Sequence, residues 1–275
     1  MIDLHSHTLY SDGERTPDEL LAEARSRGVV VLSVTDHDTV SGIPECREAG
    51  LRHGVRLVAG IELSCELHGR EVHLLGHFVD PGSPALNRLA HELLDERRER
   101  MERMVVKAQG LGMAKVTMEA VRAASGGENL GRPHLARVLV DLGHAKNMKD
   151  AFDRFLRDDG TLWVDRRRVP IQEGVELMHR AGGTASLAHP GANAISRQEL
   201  KTVAGFGLDA VEANHPEHPP NQVEAYTRWA EEMGLLITAG SDYHGPRVQP
   251  DRKLGDRTLS QERFAALEER AALPR

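Results

Sequence analysis

His5 and His7 flank a single serine, and Asp12 follows within one short loop. In extended backbone, residues two apart share a side, so both imidazoles can reach one ion. Comparable groups recur along the chain: Thr35-Asp36-His37-Asp38, Gly60-Ile61-Glu62, His73, Ala188-His189-Pro190, Glu212-Ala213-Asn214-His215 and Ser241-Asp242-Tyr243-His244. Alone, an HxH pair or a histidine closing an apolar run has an ordinary structural explanation. The recurrence does not. Imidazoles and carboxylates gathered at one mouth stay desolvated or repel each other unless cations neutralise them. The donor set holds imidazole and carboxylate but no thiolate. That suits Mn2+ first, with Zn2+ or Fe2+ as alternatives, over an all-oxygen Ca2+ or Mg2+ cage. The candidate ligands outnumber the needs of one ion, so two to three divalent ions sharing a bridging carboxylate are expected. Such a cluster lowers the pKa of bound water, and the activated hydroxide can attack phosphorus in line.

The elements that must position these groups alternate. A strand over MIDLH precedes a helix from Pro17 to about Arg27, with Pro early in its first turn. Val29–Val34, a helix near Ile43–His53 and Val55–Leu63 follow. The rhythm returns late: helix Gln172–Ala181, strand Thr184–Ala188, helix Arg197–Ala204, strand Ala210–Ala213, helix Pro220–Met233, strand Leu235–Ala239 and a last helix over Gln261–Ala271. Strands alternating with helices of this length imply parallel βαβ units closing a sheet or barrel, whose C-terminal strand ends form the functional face. After a hairpin (Leu63–His68, then Val72–Val79), the texture changes to consecutive helices over Ala85–Leu111, Thr117–Ala124, Pro133–Leu142 and Lys149–Leu156. The expected organisation is therefore an α/β scaffold over residues 1–80 and 170–275, with residues 81–169 as an inserted helical cap.

Bulk composition narrows the function classes. A net charge of −7 argues against a protein that coats nucleic acid, and no stable duplex DNA partner is expected. The charge is uneven: residues 81–170 hold 17 Lys+Arg against 13 Asp+Glu. A basic insert over an acidic body can attract an anionic substrate, or can simply be a solvated helix surface. No apolar run reaches the length of a membrane span, and the two cysteines, Cys46 and Cys65, form no CxxC pair. A reducing cytoplasm is the expected compartment. The oligomeric state has no readable signal.

HSHTLYSDG, TDHDT, the glycine-led Glu62, AHP and the final SDYH together resemble the polymerase and histidinol phosphatase (PHP) family, over nearly the whole chain and in order. The resemblance implies a distorted (βα)7 barrel with a trinuclear metal centre. It implies that His5, His7, Glu62 and Asp242 bind a first ion. Glu62 then bridges to a second ion held by His73 and His189, while Asp12, His37 and His244 hold a third. Gly131-Arg132-Pro133-His134, inside the helical cap, resembles members acting on nucleoside 3′,5′-bisphosphates, a group that includes 5′→3′ exoribonucleases on short RNA. By that resemblance Arg132 and His134 contact substrate phosphate. Physically, the Arg132 guanidinium offers a planar fork matched to phosphate oxygens, although pairing with a neighbouring carboxylate is the simpler reading of the residue alone.

Glu62 and Asp242 are thus the expected catalytic carboxylates. His215, at a strand end, is a third catalytic candidate, as phosphate contact or proton donor, with a simple turn as the alternative. Asp36 and Asp38 are expected to orient imidazoles, Tyr243 or Trp163 could stack on a base, with a core or cap role the better reading of Trp163, and the Arg166-Arg167-Arg168 run is expected to be solvated, with steering of an anionic ligand the lesser alternative. The leading expectation is removal of a phosphate from a small nucleotide, extending to short RNA. Histidinol-phosphate phosphatase, a non-catalytic metal-binding regulatory module and C–N hydrolysis remain open.

Overall fold

A computed structural model describes residues 1–273. Eight strands among these residues form one sheet: β1 (Ile2–Asp3), β2 (Val31–Val34), β3 (Arg56–Leu67), β4 (Arg70–His77), β5 (Val169–Pro170), β6 (Thr184–Leu187), β7 (Ala210–Asn214) and β8 (Leu236–Ala239). The main path runs β1-β2-β3-β4-β6-β7-β8, with β5 paired to β3. The two ends of that path meet. Leu4 N–H donates to the Ala239 carbonyl at 3.0 Å, and beyond the strands Asp242 N–H reaches His5 O and His7 N–H reaches Tyr243 O. The result is a nearly closed barrel.

β4 runs antiparallel to both neighbours, which breaks the parallel pattern. Its origin is local. His68 and Gly69 adopt positive φ (51° and 76°), the primed turn geometry that matches strand twist in a two-residue hairpin. The expected strand ending at Leu63 and the hairpin arm after it are one continuous strand, β3. Glu62 therefore lies mid-strand rather than at a strand end, opposite Leu75.

The helices outside the barrel follow their caps. α1 (Pro17–Ser26) starts in a full capping box, Thr16 with Glu19, and carries Pro17 at its first turn. α2 (Ile43–His53) stops at Gly54 in the left-handed conformation. α7 (Ile171–Arg180), α8 (Arg197–Ala204), α9 (Pro220–Glu232) and α10 (Gln261–Ala272) complete the outer layer.

Between β4 and β5 lie α3 (Pro84–Gly110), α4 (Met118–Ser125), α5 (Arg132–Asp141), α6 (Met148–Ala151) and a π-helix, Phe152–Leu156. This segment has its own apolar core, built from residues between Met101 and Val164 that include Leu135, Leu139 and Leu156. Leu86 and Leu93, in the first half of α3, pack instead into the barrel core. α3 is thus shared: its start is barrel wall and its end is cap. No helix among the described residues is long and apolar enough to cross a membrane.

Candidate metal centre

Glu62 is the hub of the barrel mouth. Buried at 1% exposure, its Oε2 lies 3.2 Å from His5 Nε2, from His7 Nε2 and from His37 Nδ1. Its Oε1 faces the other side, 2.8 Å from His73 Nδ1 and 2.9 Å from His189 Nε2. Asp242 Oδ1 is 3.3 Å from both His5 Nε2 and His7 Nε2. Asp12 Oδ1 is 3.3 Å from His244 Nε2, and its Oδ2 is 3.9 Å from His37 Nε2. Five of the nine expected ligands therefore surround the Glu62 carboxylate, while Asp242 joins through His5 and His7, Asp12 through His37, and His244 through Asp12. Close groupings of possible ligand atoms are His5-His7-Glu62-Asp242, His7-Asp12-His37-His244, His37-Glu62-His73 and, outside the expected ligand set, His5-Glu212-His215. His5, His7, His37 and Glu62 each belong to two groupings, and the His189 ring lies against Glu62.

The donors fit cations. His5 Nε2, His7 Nε2, His37 Nδ1, Asp12 Oδ1 and Glu62 Oε2 face the centre, are buried and make no hydrogen bond. Two ligands each about 2.1 Å from one ion, at right angles, lie about 3.0 Å apart, close to the separations found here. The electrostatics agree. Burial opposes charge on Glu62, Asp12 and Asp242, yet the facing imidazoles hold all three carboxylates well below their usual range. Burial also opposes protonation of His7 and His73, but the surrounding carboxylates lift them to about 9 and about 10. Burial wins at His37, which falls to about 3 despite Glu62 and Asp12. A nest that binds protons this strongly can bind metal ions in their place.

Several supporting groups lie outside the expected ligand set, and of these only Glu212 stood among the recurring sequence groups. Glu212 accepts from His5 Nδ1–H at 2.9 Å and from the His189 backbone N–H at 2.9 Å, which leaves His5 Nε2 free to face the centre. Glu71 lies 3.4 Å from His73 Nε2 and also receives Arg166 and Arg168. Arg252 pairs with Asp242 and Glu217. Asp38, His189 and Asp242 all have positive φ (54°, 26° and 50°), strain of the kind that collects at working sites.

Asp36 accepts from Thr8 N–H (2.7 Å), Thr8 Oγ–H (2.6 Å) and Ser11 Oγ–H (2.7 Å), so it fixes the loop after β1, with Ser11 against His7 Nδ1. Asp38 does not orient an imidazole. It takes Arg97 and Arg166, which corrects both its expected role and the expected solvation of the arginine run. Arg166 is buried and Arg168 nearly so at its side chain, while Arg167 is exposed. Tyr243 is buried with its hydroxyl on Glu23, so it presents no stacking face.

A recess of about 150 Å³ opens over the centre. Asp12, His37 and His73 form its floor, and Arg97, Arg100, Arg132 and Arg166 line it with Glu71. Arg132 bonds Asp158 (3.0 Å) and the Leu156 carbonyl (3.3 Å). Arg100 donates from Nε to the Val164 carbonyl at 2.7 Å, and its Nη2 is buried without a partner. His134 is fully buried and does not line the recess, although its neighbours Gly131, Arg132 and Pro133 do. Its Nδ1 accepts the Gly131 N–H at 2.9 Å, which places its proton on Nε2, also without a partner. His215 is likewise buried; Nδ1 accepts the Glu217 N–H at 3.2 Å, so Nε2 carries the proton, 3.3 Å from Asp242 Oδ2.

The PHP domain model matches residues 3–156, more than half of the chain. The chain belongs to the PHP domain family. Among its relatives is the 5'-3' exoribonuclease Rnm of Salmonella typhimurium, 34% identical over 89% of this chain and 85% of that protein. A 3',5'-nucleoside bisphosphate phosphatase of Chromobacterium violaceum is 31% identical over 89% of this chain and 87% of its own. A phosphoribosyl 1,2-cyclic phosphate 1,2-diphosphodiesterase of Eggerthella lenta is 33% identical over 88% and 94%. Among solved structures, a metal-dependent phosphoesterase from Bifidobacterium adolescentis superposes with a TM-score of 0.89 at 30% identity, covering 98% of this chain and 95% of that one. The barrel and its helical insertion are therefore shared with that solved structure, and the expected fold holds.

Proposed function

We propose that the protein is a metal-dependent phosphoesterase that removes phosphate from small nucleotides, nucleoside 3′,5′-bisphosphates first, and that extends to the 5′ end of short RNA. The observation that carries this reading is one recess with two surroundings. Its floor is the nest of imidazoles and carboxylates around Glu62, and its walls are four arginines. A substrate with two phosphates can set one on the floor and the other among the guanidinium groups. The names of the Chromobacterium and Salmonella relatives support the same substrate classes.

In this reading His5, His7, Asp12, His37, Glu62, His73, His189, Asp242 and His244 hold two to three divalent ions, Mn2+ first. When bound, such ions supply Lewis-acid charge that activates water and offsets the charge building on phosphoryl oxygens. The chain's own residues do the rest. Arg132 and the unpaired Nη2 of Arg100 orient phosphate oxygens through charge-assisted hydrogen bonds. His134 holds the turn that starts α5 and keeps one buried donor, Nε2–H, for an acceptor on the substrate. His215 holds a proton at Nε2, beside Asp242, that can pass to the leaving oxygen. Histidinol phosphate fits less well, because its ammonium and imidazole would meet the arginine walls.

Purified Mn2+-loaded protein offered adenosine 3′,5′-bisphosphate, histidinol phosphate and a 5′-phosphorylated oligoribonucleotide tests the reading, with phosphate and nucleotide products measured. Turnover of the bisphosphate is expected to lead. A preference for histidinol phosphate, or no turnover of any, rejects it.

A further inference from the structure

Beside the arginine-lined recess lies a second one, of about 360 Å³, lined by Pro133, Met148, Phe152 and Val248 with Lys149, His244 and Gln249. Pro133 and Phe152 line both recesses, so the two adjoin across a proline and a phenyl ring, and we treat them as two halves of the substrate site. His244 places the second half directly against the nest around Glu62. The chemistry of the two halves differs sharply. The first is walled by guanidinium groups. The second is mostly apolar, and Lys149, its one lysine or arginine, is paired with Asp153. Phe152 opens the π-helix Phe152–Leu156, and a π-turn in a helix is a recurrent mark of functional sites because it redirects side chains that a regular helix would bury. The Phe152 ring is half-buried, packed on the cap core while it lines the cleft.

We propose that this second half seats the nucleobase of the substrate, with Phe152 as its stacking platform. The inference rests on the nucleotide reading above and adds to it the part of the substrate that the arginines do not recognise. A further phosphate would meet one lysine here where the first half offers four arginines, whereas a flat neutral heterocycle matches an apolar seat with an aromatic ring in its wall. The position suits a single nucleotide: the ring fills the apolar half, the ribose crosses Pro133 and Phe152, and the phosphates lie over the floor and among the arginines. Stacking on a phenyl ring accepts any base, because every base has a π-face. The seat therefore selects nucleotides over simple sugar phosphates while discriminating little among bases.

The test compares kcat/KM of Mn2+-loaded protein on adenosine 3′,5′-bisphosphate and on its abasic analogue, 1-deoxyribose 3,5-bisphosphate. Wild type is expected to favour the nucleotide by about 10- to 100-fold. Phe152→Ala should bring that ratio close to one, and Phe152→Trp should keep it. A wild-type ratio near one, or a ratio untouched by Phe152→Ala, overturns the proposal. Saturation-transfer NMR with adenosine, which carries no phosphate, reads the same seat without turnover. Adenine H2 and H8 signals present in wild type and absent in Phe152→Ala support the base seat even where no nucleotide is hydrolysed, an outcome that rejects only the phosphatase reading. Hydrolysis without base preference and without adenine signals rejects the seat and leaves the phosphatase reading standing.

Discussion

Arg97 donates from Nε to Asp38 Oδ2 at 2.7 Å, joining the middle of α3 to the residue that follows His37. Both side chains are buried, and Asp38 also takes Arg166 at 3.3 Å and the Ser64 N–H at 2.7 Å. One carboxylate thus pins two separate cap segments to the mouth of the barrel. Its negative charge is held well below the usual carboxylate range: burial opposes it, and the two arginines outweigh burial. Asp38→Ala leaves buried Arg97 without its counter-charge and Arg166 with Glu71 alone, and is expected to cost about 3–5 kcal/mol. Asp38→Asn keeps the shape and tolerates the left-handed backbone, so it should cost less. Urea unfolding measures both; an alanine cost under about 1 kcal/mol would show that the pairing does not fasten the cap.

Glu62→Gln removes the one charge shared by five imidazoles. The expected result is loss of activity together with loss of bound ions, with the far-UV spectrum of the barrel preserved. Elemental analysis of dialysed protein decides it. A variant that keeps its full metal content but is inactive would place Glu62 in the chemistry alone.

Loading with ions should release protons, and the sign follows from the site. Without ions, the carboxylates raise His7 to about 9 and His73 to about 10, against the pull of burial, so both are protonated at neutral pH. An imidazole must be neutral to bind a metal ion. Proton release on Mn2+ addition should therefore be large near pH 7, decline as the pH rises through 9 and 10, and be accompanied by tighter binding at higher pH. Calorimetry in two buffers of different ionisation enthalpy measures the release. No buffer dependence at pH 7 would contradict the assignment of these two histidines as ligands.

Arg132→Ala should raise KM for a nucleoside bisphosphate by about 10- to 100-fold, the loss of one hydrogen bond to a charged group, with metal content intact. Its present partner, Asp158, is exposed and gives up the guanidinium readily. Arg132→Lys keeps the charge but not the fork, so only partial recovery is expected. Unchanged KM in the alanine variant would remove Arg132 from substrate binding.

The floor of the site was legible because each ligand follows or interrupts an apolar run whose strand character is strong. The arginine walls were not, because a charge in a helical run reads as a solvated face. For Arg97 and Arg100 a signal existed: they fall on the same helical stripe as Leu86, Ala90, Leu93 and Met104, which is the buried side of α3. Arg166 sits in irregular backbone between helix and strand, where no period applies. Glu71 and Phe152 were hidden for a different reason. Their roles depend on which distant segments the hairpin and the π-helix bring together, and local pattern does not encode that.

Gly240 shows how closely the barrel seam and the site depend on each other. A Cβ built there would lie 2.3 Å from His5 Cβ, 2.6 Å from its backbone nitrogen and 2.9 Å from its Cα. Two of these atoms belong to the backbone of a strand end, so no rotamer change can relieve the clash. The segments joining β1 to β8 must move apart, and His5 moves with them. Gly240→Ala is expected to cost roughly 3 kcal/mol or more, above the usual penalty for overpacking, and to lower metal occupancy without touching a ligand. Gly110→Ala is the matched control: its added methyl meets nothing within 4 Å, at the end of a helix where alanine is favoured. Thermal unfolding and metal content of the two variants, measured side by side, check the claim. A Gly240→Ala protein as stable and as well loaded as Gly110→Ala would mean that the seam has slack and that the position of His5 is set elsewhere, by Glu212 on its other ring nitrogen.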